Sequence, residues 1–215
     1  MKKIVVLISG NGSNLQAIID NCNSGNINGE IACVISNKED VYGIERAKAS
    51  KIKTKIINED AFQSRAHFDE GLFNLLLDIN ADLIVLAGFM KILDEKTANY
   101  FFGKIINIHP SLLPKYPGLN THKKVIENKE KYHGVSVHYV SSQLDAGPLI
   151  AQGQIKVNKD KNTENLKERI HKVEHIIYPE VIKLICDNKI YLNLDKTVNL
   201  YTNDTKGFMH NSYEI

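Results

Sequence analysis

The run Ile105-Ile106-Asn107-Ile108-His109-Pro110 carries an amide and an imidazole two residues apart. In an extended strand alternate side chains share a face, so Asn107 and His109 point one way and Ile106 and Ile108 the other. Two polar side chains at the end of a buried strand are costly unless they are satisfied or used. An amide N–H can stabilise an oxyanion, and a protonated imidazole can donate a proton. The plain alternative is a pair of hydrogen-bonded core or rim residues. A second polar group lies downstream: His133, Ser136 and His138, then Asp145 ahead of Ala146-Gly147-Pro148. Ser136 and His138 share a face of their own strand. Asp145 falls in a turn, where Asp is common for conformational reasons alone. So many histidines also suggest a metal. No HxxxH or HExxH spacing is seen among these histidines and no Cys lies nearby, so no metal is expected.

A different kind of site is written in Ser9-Gly10-Asn11-Gly12-Ser13-Asn14, which follows an apolar run and precedes a helical pattern. Backbone N–H groups at a helix start, with the helix dipole behind them, favour an anion. Leu15 stands at the third glycine position of a dinucleotide fingerprint. Ser36-Asn37 stand where a ribose-binding acid would be expected. A phosphate monoester therefore fits better than a dinucleotide. The competing reading is a tight turn whose Ser13 merely caps the helix; the loop alone does not choose between them.

The elements that must position these residues follow from periodicity. Strands are expected at Ile4 to Ile8, Ile31 to Ser36, Lys53 to Ile57, Leu83 to Ala87 and Lys104 to His109. Helices are expected at Asn14 to Asn23, Val41 to Ser50 and Ala61 to Asn80, the last burying Phe62, Leu72, Phe73, Leu76 and Ile79. Continuous apolar strands alternating with helices imply a doubly wound, mostly parallel α/β sheet with helices on both faces. Such a sheet binds ligands beyond the C-terminal ends of its strands. Tyr132 to Val140 and Pro148 to Val157 read as antiparallel additions at the C-terminal side. Thr163 to Asp187 reads as a long helix capped by Thr163, with Pro179 expected to kink or break it. From Lys189 a short strand pair and a loose tail are expected. Residues 1–188 are assigned to one domain and residues 189–215 to an extension packed on it.

Bulk properties narrow the class. The 215 residues suit one large domain, with 43% hydrophobic and 24% charged residues. A net charge of +2 is too small to argue for nucleic acid or membrane as partner. Cys22, Cys33 and Cys186 have no CxxC spacing and fit reduced thiols in the cytoplasm. The basic-then-apolar start, Met1 to Ile8, is too short for a signal peptide and reads as a strand.

Three segments carry a resemblance: Ile8 to Ile18 around the glycine loop, Leu86-Ala87-Gly88-Phe89-Met90-Lys91-Ile92-Leu93, and Asn107-Ile108-His109-Pro110-Ser111-Leu112-Leu113-Pro114-Lys115-Tyr116-Pro117-Gly118-Leu119. Together they resemble the folate-dependent formyltransferase family over residues 1 to about 185. The Asn-x-His-Pro-Ser-Leu-Leu-Pro run marks the wider group. The Gly-Asn-Gly-Ser-Asn loop and Tyr116 to Leu119 point to its glycinamide ribonucleotide branch.

The resemblance implies an activity: transfer of the formyl group of 10-formyltetrahydrofolate, a co-substrate, to the amine of phosphoribosylglycinamide, a step of purine biosynthesis. It implies catalysis by Asn107, His109 and Asp145, with the Asp145 carboxylate favouring the charged imidazole. Gly12, Ser13 and Asn14 would hold the acceptor's phosphate. His171, Lys172, Val173 and Glu174 would lie along its ribose, Glu174 matching the family's ribose-binding acid. Arg65, Met90, Lys91, Ile92, Leu93 and Asn107, with the loop Ser141, Ser142, Gln143, Leu144 and Asp145, would form the folate pocket. Partners would be small molecules only, and the chain a monomer or weak homodimer. One departure stands out. The family's loop has acidic residues and then Gly-Gly-Pro, whereas this chain has Ser142-Gln143 and Ala146-Gly147-Pro148. Ala146 would restrict the backbone if its φ were positive.

Two rivals remain at this stage: a formyltetrahydrofolate hydrolase, with water as acceptor, and a non-catalytic phosphate-binding module. The first leaves the phosphate loop without purpose. The second leaves Asn107, His109 and Asp145 unexplained.

Overall fold

The computed structural model describes residues 1–157, 162–200 and 209–215, with the side chains of Met209 and His210 outside the description. The chain divides into two compact units, Met1–Asn107 and Ile108–Ile215. In the first unit the elements are β1 (Lys2–Ile8), α1 (Ser13–Asn23), β2 (Gly29–Ser36), α2 (Tyr42–Ala49), β3 (Thr54–Ile56), α3 (Arg65–Ile79), β4 (Leu83–Leu86), α4 (Glu95–Tyr100) and the start of β5 (Ile105–His109). The strands lie in the order β3-β2-β1-β4-β5, and every neighbouring pair is parallel. Strand β1 thus has β2 on one side and β4 on the other, and the order reverses there. Right-handed crossovers carry the helices before and after that reversal to opposite faces. Ile4 to Ile8 are all 0% exposed, so each stabilises the sheet by about 1.5–3 kcal/mol.

The long first-unit helix starts later than its apolar pattern suggests. Ser64, not Ala61, sets the start: its hydroxyl accepts from the His67 amide. Glu59–Ala61 form a separate 3-10 turn capped by Asn58. Phe62 lies outside the helix and packs edge-on against Phe68, with ring centroids 5.8 Å apart. Hydrophobic spacing continued through the turn, but the cap decided the boundary.

The second unit holds α5 (Thr121–Glu127), β6 (Tyr132–Tyr139), β7 (Leu149–Lys156), α6 (Thr163–Cys186), β8 (Ile190–Leu192), β9 (Val198–Leu200) and β10 (Met209–Ser212). Strands β6 and β7 pair antiparallel, as their turn signals suggest. The expected strand pair after Lys189 is the β8–β9 hairpin. The tail is not loose at its end, because β10 joins β7 in parallel register from Met209↔Ala151 to Ser212↔Gln154. Helix α6 runs through Pro179 without a break. Pro179, Tyr178 and Ile177 are all buried, and that packing outweighs one missing backbone donor. The α6 cap is Asn162 rather than Thr163: its side chain accepts from the Glu164 amide at 2.9 Å. The short helices α4 and α5 were not anticipated, since neither is long enough to show a periodic apolar face.

Candidate active site

In the second unit, residues from three stretches converge on one carboxylate. Asp145 has φ of 50°, and its side chain is only 8% exposed. One oxygen, Oδ2, accepts from the Gly118 amide at 2.8 Å and lies 3.4 Å from His109 Nδ1. The other, Oδ1, lies 3.8 Å from His138 Nε2. His109 Nε2 is 2.9 Å from the Tyr116 carbonyl, which can only accept, so Nε2 carries a hydrogen. A proton on Nδ1 then points at Asp145, which is the geometry of a charged donor paired with a buried carboxylate. His138 is different. Its Nδ1 donates to the Tyr139 carbonyl at 2.8 Å, and burial pushes its pKa down against the opposing pull of Asp145.

The remaining polar residues of this unit are sorted by their partners. Ser136 is a buried tie: its hydroxyl donates to the Ser111 carbonyl at 2.7 Å and accepts from the Leu113 amide at 3.0 Å. Gln152 Nε2 reaches both Ser136 Oγ and the Leu113 carbonyl at 2.8 Å. Together they fix the Ser111-Leu112-Leu113 turn that leads away from His109. His133 pairs with His122, Nε2 to Nδ1, at 2.9 Å. Burial, reinforced by neighbouring positive charge, holds His122 down to about 4 and His133 down to about 3. Both rings are therefore neutral near pH 7, one donating and one accepting.

The loop from Ser141 to Leu144 is mostly exposed, with Ser141 Oγ donating to the Gln143 carbonyl at 3.2 Å. The positive φ of this loop falls on Asp145 and not on Ala146, so the alanine is under no backbone strain. Gly147 is the position that cannot change, since a Cβ there would sit 1.8 Å from the Tyr139 carbonyl oxygen. On α6, Glu174 is 5% exposed, an unusual place for a helical acid, and Tyr178 beside it is held well above its ordinary pKa by burial and by Glu174's charge. His171 is half-buried and Lys172 exposed. Val173 is fully buried against Gly153 of β7. His171 and His175 stack with centroids 6.3 Å apart, an HxxxH pair. Among the described residues no group of three or more His, Cys, Asp or Glu could hold a metal ion.

In the first unit, Gly12 is the residue that turns the chain into α1, at φ 73° with no side-chain cap. Ser13 is the first helical residue, so the cap expected of it is not made, while the tight turn is there at Gly12. The turn is braced from outside. Arg46 Nε donates to the Asn11 carbonyl at 3.0 Å, and the Gly43 amide to the Gly10 carbonyl at 3.1 Å. A Cβ on Gly12 would stand 2.7 Å from Gly43 Cα. The opening turn of α1 thus presents backbone amides at a rigid, uncapped helix N-terminus, the arrangement that suits a phosphate. Asn37 is committed elsewhere, accepting from the Ser9 hydroxyl at 2.5 Å, and Ser9 Oγ accepts from the Met90 amide at 2.8 Å. That bond ties the end of β1 to Met90–Leu93. Arg65 holds the same segment by donating to the Ile92 carbonyl, and is itself aligned by Asp69 at 2.9 Å. Lys91 pairs with Glu59. Met90 and Ile92 are exposed apolar side chains, while Leu93 is buried. Asn107 is half-buried on β5, two residues before His109 on the same strand.

Burial pushes the Cys22 thiol up to about 11 and that of Cys33 in the same direction, so both stay protonated near neutral pH. Sequence reasoning missed His122, Gln152 and the backbone groups of Tyr116 and Gly118. The backbone groups have no side-chain signature. His122 could have been found from its place in the helix-start pattern after Asn120.

Residues 2–182 match the profile of the family described as formyl transferase. The phosphoribosylglycinamide formyltransferase of Escherichia coli (strain K12) is 45% identical over 190 residues, covering 88% of this chain and 90% of that protein. That of Haemophilus influenzae is 46% identical, covering 89% and 91%. Among solved structures, the phosphoribosylglycinamide formyltransferase of Coxiella burnetii, in complex with CHES, superposes with a TM-score of 0.90 at 46% identity, covering 97% of this chain and 99% of that one. Glycinamide ribonucleotide transformylase 1 of Symbiobacterium toebii gives 0.89 at 39% identity, over 94% and 95%.

Proposed function

The chain belongs to the formyl transferase family, and from that premise we propose that it transfers the formyl group of 10-formyltetrahydrofolate to the amine of phosphoribosylglycinamide, giving the N-formyl product and tetrahydrofolate in purine biosynthesis. The observation that carries the reading is the His109–Asp145 pair, 3.4 Å apart and buried, with the imidazole's other nitrogen fixed on the Tyr116 carbonyl.

The acceptor amine resembles an α-amino group, whose pKa is about 7.7–8.0, so a useful fraction is neutral near pH 7 and can attack unaided. Attack on the formyl carbon places negative charge on its oxygen. The Asn107 amide and the Nδ1–H of the His109 imidazolium, which faces Asp145 across a long 3.4 Å and can be shared with the oxyanion, are the donors for that charge. The attacking nitrogen becomes cationic and must lose a proton, which Asp145 accepts, directly or through water. His109 then supplies the proton that lets the folate nitrogen leave as an amine, and the carbonyl re-forms. Gly12, Ser13 and Asn14 hold the acceptor's phosphate, with Glu174 accepting from its ribose hydroxyls. Arg65 and Met90 to Leu93, with the loop Ser141 to Leu144, take the folate. Met90 and Ile92 offer apolar surface to a flat ring, and backbone groups read its edge. The proposal includes one domain for residues 1–188 and a cytoplasmic monomer or weak homodimer, a setting that suits three free thiols.

The test is to mix the protein with 10-formyltetrahydrofolate and follow folate absorbance with and without phosphoribosylglycinamide. Turnover is expected only with the acceptor. Folate consumption without it would make the protein a hydrolase. Asn107→Ala should lower kcat by about 10²–10³, the usual loss for one oxyanion donor.

A further inference from the structure

Tyr116 is the least expected residue near His109. It is a bulky residue at φ 56°, a left-handed conformation that L side chains with a Cβ adopt only when something holds them there. The holding groups are visible on both sides of its turn. On the inner side, the Ser111 hydroxyl donates to the Lys115 carbonyl at 2.7 Å, and the Lys115 amide to the Leu112 carbonyl at 3.1 Å. On the outer side one carboxylate does the work. Glu130 accepts from the Tyr116 hydroxyl at 2.8 Å and from Lys115 Nζ at 2.8 and 3.0 Å. The Tyr116 carbonyl, aimed by this left-handed turn, is the acceptor for His109 Nε2.

We infer that Glu130 is a positioning residue for formyl transfer: by gripping Lys115 and Tyr116 it aims the Tyr116 carbonyl at His109 Nε2, and so keeps Nδ1 turned toward Asp145. The inference rests on the reading of His109 as the proton donor. Without the grip the strained Tyr116 peptide relaxes, the carbonyl turns away and the imidazole gains a second orientation, with Nε2 toward Asp145. Lys115 and the phenol keep Glu130 ionised, holding its pKa down, while Glu130 pushes that of Tyr116 up, so the grip persists across neutral pH. Asp145 and His138 face the ring region directly, and His122 and His133 act on it through space. All four are untouched by substitution at Glu130. Lys115 is largely exposed and the Glu130 side chain 24% exposed, and ion pairs at such a surface contribute little to stability, so variants at Glu130 are expected to fold, which their urea unfolding midpoints check.

The experiment combines kinetics with nitrogen NMR of histidine-labelled protein, using Glu130→Ala, Tyr116→Phe and the conservative Glu130→Asp. In Glu130→Ala and Tyr116→Phe, kcat is expected to fall by about 10- to 100-fold, the range for a misplaced catalytic group, with both KM values within about twofold. The His109 signals should change from a ring fixed by its Nε2–H to an orientationally averaged one. Glu130→Asp should recover part of both. His109 signals unmoved in both disruptive variants overturn the inference. Signals that change while kcat stays within about twofold overturn the catalytic meaning of the grip. Full activity in His109→Gln would instead sink the reading of the site on which it rests.

Discussion

The buried His122–His133 pair makes the fold sensitive to acid, by an amount that can be worked out. An unfolded histidine has a pKa of about 6.5. In the fold, burial holds His133 down to about 3 and His122 down to about 4. As pH falls below about 6.5 the unfolded chain takes up protons that the folded chain refuses. Stability is therefore complete above that value, declines as pH falls, and stops declining only near the folded pKa values. One group refused a proton contributes a slope of about 1.36 kcal/mol per pH unit. From about pH 7.5 to about pH 5, His133 alone should withdraw about 2 kcal/mol. His122, half-buried, should add a smaller amount, so the pair withdraws about 3 kcal/mol in all. That is a large fraction of a typical folding free energy of about 5–15 kcal/mol. The assay is urea unfolding at the two pH values for the natural chain and for the double variant His122→Gln, His133→Gln, comparing the pH-induced change rather than the absolute stability. The buried His138 contributes to both proteins and cancels. The double variant should lose about 3 kcal/mol less on acidification. Equal losses in the two proteins would refute the reasoning.

Other substitutions probe the turns and ties. Gly12→Ala places a Cβ 2.7 Å from Gly43 Cα at φ 73° and should raise KM for the phosphorylated acceptor while costing about 1–3 kcal/mol in urea unfolding. Ala146→Gly should leave KM for folate within about twofold, because the positive φ sits on Asp145. Gly147→Ala, by contrast, meets the Tyr139 carbonyl oxygen at 1.8 Å and should lower both Tm and kcat. Ser136→Ala removes the acceptor of the Leu113 amide and the donor to Ser111, so thermal unfolding should show a loss of about 1–3 kcal/mol.

The parallel half of the fold was readable because its strands are apolar throughout, and Ile4 to Ile8 or Leu83 to Leu86 can be little else. The boundaries were less so. Ser64 and Asn162 fixed helix starts through side-chain caps that compete with several neighbours of the same chemistry. Pro179 looked like a breaker because its burial depends on packing partners that periodicity does not reveal. In the site, the pairing of Asn107 and His109 on one strand face was legible from type and position, whereas Asp145 looked like an ordinary turn residue and drew its role from the family resemblance. The groups that orient them were not legible. The Tyr116 carbonyl and the Gly118 amide exist in every peptide, and only the turn geometry gives them a role. Ser136 and His138 looked alike on the strand, yet one ties a turn and the other faces the carboxylate. Alternation gives a face and not a partner.

The central claim is that Asp145 works with His109 in formyl transfer, and the kcat of Asp145→Asn measures it most directly. Asparagine keeps the shape and can still accept from the Gly118 amide, so the turn survives while the charge and the proton acceptor are lost. Acceptor-dependent turnover should fall by about 10²–10⁴ with the unfolding midpoint little changed. A variant that folds normally and turns over within about twofold of the natural chain would contradict the account.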